Sequence, residues 1–257
     1  MVNILKADLY RLGKSKLFYG VAAFTGMIAF LLIILIHQDI RLGISVFGDL
    51  TAFKKIDDIV GIGVEYYKGL GILVAVLISV FIGQEYQWKT WQHKWVTTKS
   101  RTHIYLSKAM LSAAVSVTIF LLFEAVVLFF SGQIREMMTG EYMAMILCGV
   151  FIYAALGTVI CLLSMLIKNS TASAIVCLCY VLFIETLVSV VKSIGSFSAT
   201  AEKAVEWMIQ HSLYGMSVLV SNVSVSTNHI IPILLNALVI MLLSTTVGLF
   251  LFRKYEL

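Results

Sequence analysis

Two carboxylates stand in stretches that are otherwise free of charge: Glu124 within residues 109–131 and Glu185 within 171–191. Both stretches are long and apolar enough to cross a bilayer. A charge at the centre of such a helix costs about 3 kcal/mol on insertion scales, so it must be paired, protonated or set beside water. The spacing puts Glu124 near the middle of its stretch and Glu185 in the outer half of its own. Each is a candidate for lining a path through the membrane. The plainer alternative is a protonated carboxyl bonded to a neighbouring helix. No Lys or Arg lies in either stretch, so a salt bridge inside the bilayer is not expected.

Other reactive groups do not assemble into a catalytic pattern. The histidines are His37, His93, His103, His211 and His229, and no two share the i, i+4 spacing of a metalloprotease helix. Ser79, Ser112 and Ser164 have no base partner in sequence and read as helix-packing residues. Cys148, Cys161, Cys177 and Cys179 all fall in apolar stretches without a CxxC pair, so they read as small buried hydrophobes rather than a disulfide framework or metal site. Gly13-Lys14-Ser15 has the tail of a phosphate-binding loop, but the position that needs its first glycine is Asp8. The sequence therefore predicts no catalytic residue, no metal and no nucleotide or other cofactor bound by this chain.

The elements that position these groups follow from composition. The chain has 257 residues, 60% of them hydrophobic, with one proline and a mean hydropathy of +0.95. Charged residues make up 13%, about half the share of an ordinary soluble domain. The composition excludes disordered, collagen-like and disulfide-stapled chains and leaves a polytopic membrane protein. A helix needs about 20 apolar residues to cross a core about 30 Å thick. Six spans meet this, at about 17–36, 66–83, 109–131, 142–167, 171–191 and 230–252, with Lys68 snorkelling at the start of the second. The fold class is all-α, a single transmembrane domain over 1–257. The first span is too long for a signal-peptide core and lacks a small-residue cleavage site, so it reads as a retained anchor.

Charge sets the orientation. With the N-terminus cytoplasmic, twelve Lys and Arg fall inside and seven outside, while acidic residues run three inside and nine outside. The positive-inside rule then predicts both termini in the cytoplasm; the expected localisation is multi-pass in the cell membrane, a bacterial inner or plasma membrane. Residues 1–16 form an amphipathic interfacial helix. At 100° per residue, Val2, Leu5, Leu9 and Leu12 share its apolar face, and Asn3, Ala7, Arg11 and Lys14 its wet face. The sizeable inner loop is 84–108. It holds Trp88, Trp91 and Trp95, whose spacing of three and four puts them on one helix face. That stripe is an interfacial belt, a knob for a partner's groove, or both. The outer segments 37–69 and 192–229 are too long for simple hairpins. Ala199–Tyr214 predicts a short outer helix, and Asn222-Val-Ser224 matches a glycosylation sequon with nothing to suggest a glycosylating host.

The loop, with the six spans and inward termini, resembles the permease subunits of ATP-binding-cassette type-2 exporters. The resemblance rests on Glu85-Tyr86, Thr90, Ser100-Arg101 and Lys108 opening the third span; Lys89 and Lys99 stand where that family has a glycine and a proline. It implies that Glu85, Tyr86, Trp88, Thr90, Trp91, Trp95, Ser100 and Arg101 couple to a separate cytoplasmic ATPase, present in two copies, which binds ATP and Mg. It also implies a second permease subunit, identical or paralogous, and outer helices between spans five and six that close the exit. The length is similar to permeases that expel bacitracin-like, lantibiotic or other amphipathic peptides. Expected partners are thus the ATPase, a second permease, lipid and peptide, with no nucleic acid. Two other classes stay open: an accessory sensor or immunity protein that binds peptide without ATP-driven transport, and a membrane enzyme.

Overall fold

The computed structural model describes residues 2–38, 43–44, 51–52, 56–88, 90, 100–132, 134–195, 199–221 and 227–254. Helix α1 is Val2–Gly13 and α2 is Lys16–His37; Ser15 between them accepts a hydrogen bond from the Phe18 amide and starts α2. A two-residue antiparallel pairing of β1 (Gly43–Ile44) with β2 (Thr51–Ala52) precedes α3, Ile56–Val64. After a 3₁₀ turn at Tyr66–Lys68 come α4 (Leu70–Gln87), α5 (Arg101–Phe130), α6 (Ile134–Met137), α7 (Gly140–Ile167) and α8 (Ser170–Gly195). The outer segment then forms α9 (Ala199–Gln210) and α10 (Leu213–Ser221), and α11 is Thr227–Lys254.

Six helices among the described residues, α2, α4, α5, α7, α8 and the stretch Ile230–Phe252 of α11, are long and apolar enough to cross a membrane. The chain is a multi-pass, all-α membrane protein. Six crossings bring both chain ends to the same side, here called the near end.

Burial sorts the spans into an inner and an outer set. The most apolar windows of α4, α7 and α5 are 61%, 56% and 39% buried, against 22% in α2, 17% in α11 and 11% in α8. α4, α5 and α7 pack on one another at the centre. α2 lies against α5 and α4, α8 against α4 and α7, and α11 against α7 and α5. The outward faces of α8 and α11 carry Phe183, Leu187, Leu235, Leu242 and Phe250, as helices bordering lipid should.

Lipid offers little hydrophobic drive between helices, so close packing of small residues does the work. The α5–α7 seam shows it. A Cβ at Gly157 would stand 2.5 Å from the Ser112 carbonyl oxygen and the Ser116 hydroxyl, and Gly149, two turns earlier on the same face, lies under the Phe120 ring. The Ser116 hydroxyl donates to the Tyr153 carbonyl at 2.6 Å, and Phe120 stacks on Tyr153 with centroids 4.7 Å apart. Gly157→Ala is expected to cost about 1–3 kcal/mol through overpacking. A lowered thermal unfolding midpoint in detergent would register it. Gly20→Ala on the open face of α2, where nothing lies within 4 Å, should leave that midpoint in place.

At the near end α7 turns into α8 over two residues. Lys168 takes the left-handed conformation at φ 55°, and the Asn169 side chain accepts from the amides of Thr171 and Ala172. At the far end α10 packs on α3 and α7, and α9 on α8, so the outer segments lie over the bundle. The outer helix expected from 199–214 is two helices.

Some boundaries move. The second span begins at Leu70 rather than 66, because Tyr66–Lys68 is a separate turn in which Lys68 pairs with Glu65 instead of snorkelling. Both ends of the 84–108 loop are helix: α4 continues through Gln87 and α5 begins at Arg101. The intervening connector is 88–100.

Candidate functional site

The near end holds a buried group of four charges drawn from three helices. α1 supplies Asp8 and Arg11, α4 supplies Glu85, and α5 supplies Lys108. Exposure is 1% for Asp8, 3% for Glu85 and 1% for Lys108. Glu85 Oε1 accepts from both Arg11 Nη1 and Lys108 Nζ, and Lys108 Nζ lies 3.0 Å from Asp8 Oδ1. Arg11 also donates through Nη2 to the Phe81 carbonyl, a backbone oxygen in the last turns of α4. Its guanidinium carbon sits 3.9 Å from the Phe81 ring centroid, and Lys108 Nζ is 5.2 Å from the same ring. Counted over these four described side chains, two acids and two bases balance. Buried charges are tolerable when matched in this way.

This arrangement corrects the reading of α1. Leu9, assigned to its apolar face, is 47% exposed, whereas Asp8 and Arg11 turn inward. The buried face is Ile4, Asp8 and Leu12, a row at four-residue spacing, with Leu12 seated among Leu77, Phe81 and Leu111. The cause is tertiary: the charges on α4 and α5 draw Asp8 and Arg11 inward and set the rotation of α1. α1 therefore docks against the bundle through ion pairs.

The group stands at both roots of the connector. Glu85 is three residues before Trp88, and Lys108 is two turns into α5. Tyr86 ties the same turn of α4 to α7, donating to the Met165 carbonyl at 3.3 Å. The Thr90 hydroxyl donates to the Glu85 carbonyl at 3.4 Å. On the α5 side, the Tyr105 hydroxyl donates to the Ser244 carbonyl of α11 at 3.4 Å, and Ser244 in turn donates to Thr158 of α7 at 2.8 Å. Both roots are thus fixed to the spans around them. Trp88 closes α4 and is 64% exposed; Ser100 precedes α5 without a side-chain capping bond, and Arg101 is the first residue of α5. Trp91 and Trp95 lie outside the described residues, as does the 222–224 sequon.

A second polar group lies at the far end. Glu65 forms an ion pair with Lys68 and accepts from the Ser221 hydroxyl of α10 at 2.7 Å. Glu124 is the twenty-fourth residue of the thirty in α5, so it stands toward the far end of that helix rather than at its middle. It is 2% exposed, against Gly63 of α3, with Tyr142 as its hydroxyl-bearing neighbour. Neither of its oxygens reaches ordinary hydrogen-bond geometry with a described residue. Glu185 is half-buried on α8 and interacts electrostatically with Tyr67. The two candidate carboxylates of the path therefore address different neighbours.

Sequence reasoning placed Glu85 and Tyr86 at a functional junction and missed Asp8 and Arg11 as its partners. A signal for them existed: Asp8 interrupts the Ile4–Leu12 row, and an acid in an apolar row asks for a buried base. Three of the four cysteines are buried as expected, and Cys179 is exposed. Among the described residues no group of histidine, cysteine and carboxylate could hold a metal. The sequence matches no family model and no curated protein.

Proposed function

We propose that this chain is the membrane-spanning subunit of an ATP-driven exporter of amphipathic or antimicrobial peptides, worked by a separate cytoplasmic ATPase. The observation that carries this reading is the charge-balanced Asp8–Lys108–Glu85–Arg11 group, which clamps α1 and both roots of the connector to the bundle. A transport subunit without a nucleotide site needs a rigid surface where a motor can push. The charge asymmetry supports a near end that faces the cytoplasm, where the connector and α1 would offer that surface. Movement of the connector is transmitted through Glu85 and Lys108 to α4 and α5, two of the three central helices. Rocking of such helices is how transporters alternate access. Six spans in one copy enclose little, so two permease subunits, alike or paralogous, pair with two ATPase subunits; ATP and Mg belong to the ATPase.

Purification of the tagged chain from its host in mild detergent tests this. Co-elution of a soluble ATPase supports the exporter. Hydrolytic activity by the chain alone supports an enzyme, and peptide binding without an ATPase supports a sensor. On this reading Glu124→Gln changes peptide export or resistance while membrane abundance stays the same. Unchanged resistance in that variant would remove Glu124 from the path.

A further inference from the structure

We propose that Glu124 is a proton–cation exchange site sealed by α3, and that its second ligand is the cationic head group of an amphipathic molecule. This rests on the exporter reading only for what brings the cation to the site.

The buried carboxylates differ in one respect. Asp8 and Glu85 meet Lys108, Glu85 also meets Arg11, and Glu65 meets Lys68. Glu124, equally buried, meets no cation among the described residues, and neither oxygen is satisfied. Among the described residues, the groups facing it are few. α7 offers the hydroxyl of Tyr142 and, nearby, Tyr153, whose own hydroxyl is spent on the Gly63 carbonyl at 2.7 Å. α3 offers the bare backbone of Gly63, and α5 itself offers the Phe123 ring beside Gly63. A lone carboxylate in such surroundings is costly, so with α3 seated the group is carried as the neutral acid.

The seal is specific. A Cβ on residue 63 would meet Glu124 Oε1 and stand 3.0 Å from the Phe123 ring, so glycine lets α3 lie directly on the carboxyl without turning that side chain aside. α3 is nine residues long and lies over the bundle, held by the Tyr153 hydroxyl and by the approach of Gly61 to the Ser221 backbone of α10. Lifting α3 would present a carboxyl beside tyrosine rings. A carboxylate with aromatic faces is the chemistry that recognises an organic cation. The exchange balances: the carboxyl O–H bond breaks, the proton leaves to water, and the arriving cation pairs with the carboxylate. No electron is transferred.

Dicyclohexylcarbodiimide tests this on the purified full chain, because it modifies protonated carboxyls in apolar surroundings. The acid proton passes to a carbodiimide nitrogen, the carboxylate oxygen adds to the central carbon, and acyl transfer leaves a stable acylurea on the side chain. Peptide mass spectrometry should find Glu124 modified, and no modification at position 124 in Glu124→Gln. Dodecyltrimethylammonium should slow the reaction about tenfold, the scale of a desolvated cation over aromatic faces. Dodecanol, with the same chain and no charge, should not slow it. Gly63→Ala, whose methyl would press on Glu124 Oε1, should slow the reaction, because a carboxyl moved out of the seal gives up its proton to water. Absence of modification in the parent chain overturns the proposal, as does faster labelling in Gly63→Ala or equal protection by dodecanol. If the chain proves to have no ATPase partner while the cation still protects Glu124, the exporter reading falls and this site stands.

Discussion

Lys108→Met is expected to destabilise the protein by about 3–5 kcal/mol, the cost of removing one partner from a buried ionic group. The ammonium of Lys108 serves both Asp8 and Glu85 and is itself 1% exposed. Methionine fills similar space but takes the shared ammonium away from two buried carboxylates. The thermal unfolding midpoint in detergent should fall sharply. Adding Asp8→Asn to Lys108→Met removes one uncompensated charge and should return part of the loss, a non-additivity expected between contacting residues. Arg11→Ala should cost less, because that side chain is 28% exposed and water can reach its site. Equal losses in the two single variants, or simple additivity in the double one, would mean that the four charges do not act as one group.

Trp91→Ala combined with Arg101→Glu should uncouple ATP hydrolysis from export. Position 91 lies within the connector and Arg101 opens α5, so on the exporter reading the pair alters the surface offered to an ATPase and one root of that surface. Coupling free energies between sites are typically about 1–3 kcal/mol, or about 5–150-fold. Stimulation of ATPase activity by substrate, measured in the reconstituted complex, should fall within that range of factors while the chain keeps its unfolding midpoint. The combination with Lys108→Met separates the two effects, since that variant loses stability as well as coupling. Full coupling in the Trp91→Ala, Arg101→Glu protein would contradict the assignment of the connector.

The spans were legible because lipid imposes a length and a composition on any helix that crosses it, and 142–167 or 230–252 could hardly be read otherwise. Legibility ended where partners are far apart in sequence. Glu85 and Arg11 are 74 positions apart, and Glu85 and Lys108 are 23, so no local pattern pairs them. α1 shows the consequence. Its apolar residues support more than one rotation, and the ion pairs chose the one that buries Asp8. α3 was hidden for a different reason: Ile56–Val64 holds Gly61 and Gly63, which read as loop residues, yet both are places where a side chain would collide with a neighbouring helix. Glu124 was legible as an isolated charge. What sealed it was not, since Gly63 belongs to a segment between spans.

The central claim is that a soluble ATPase engages the connector from the cytoplasm. A photocrosslinking residue placed at position 91 in living cells tests it most directly. The account predicts an adduct with a soluble ATP-hydrolysing protein, formed on the inner side of the membrane. An adduct with lipid alone, or with a protein outside the cell, would contradict it.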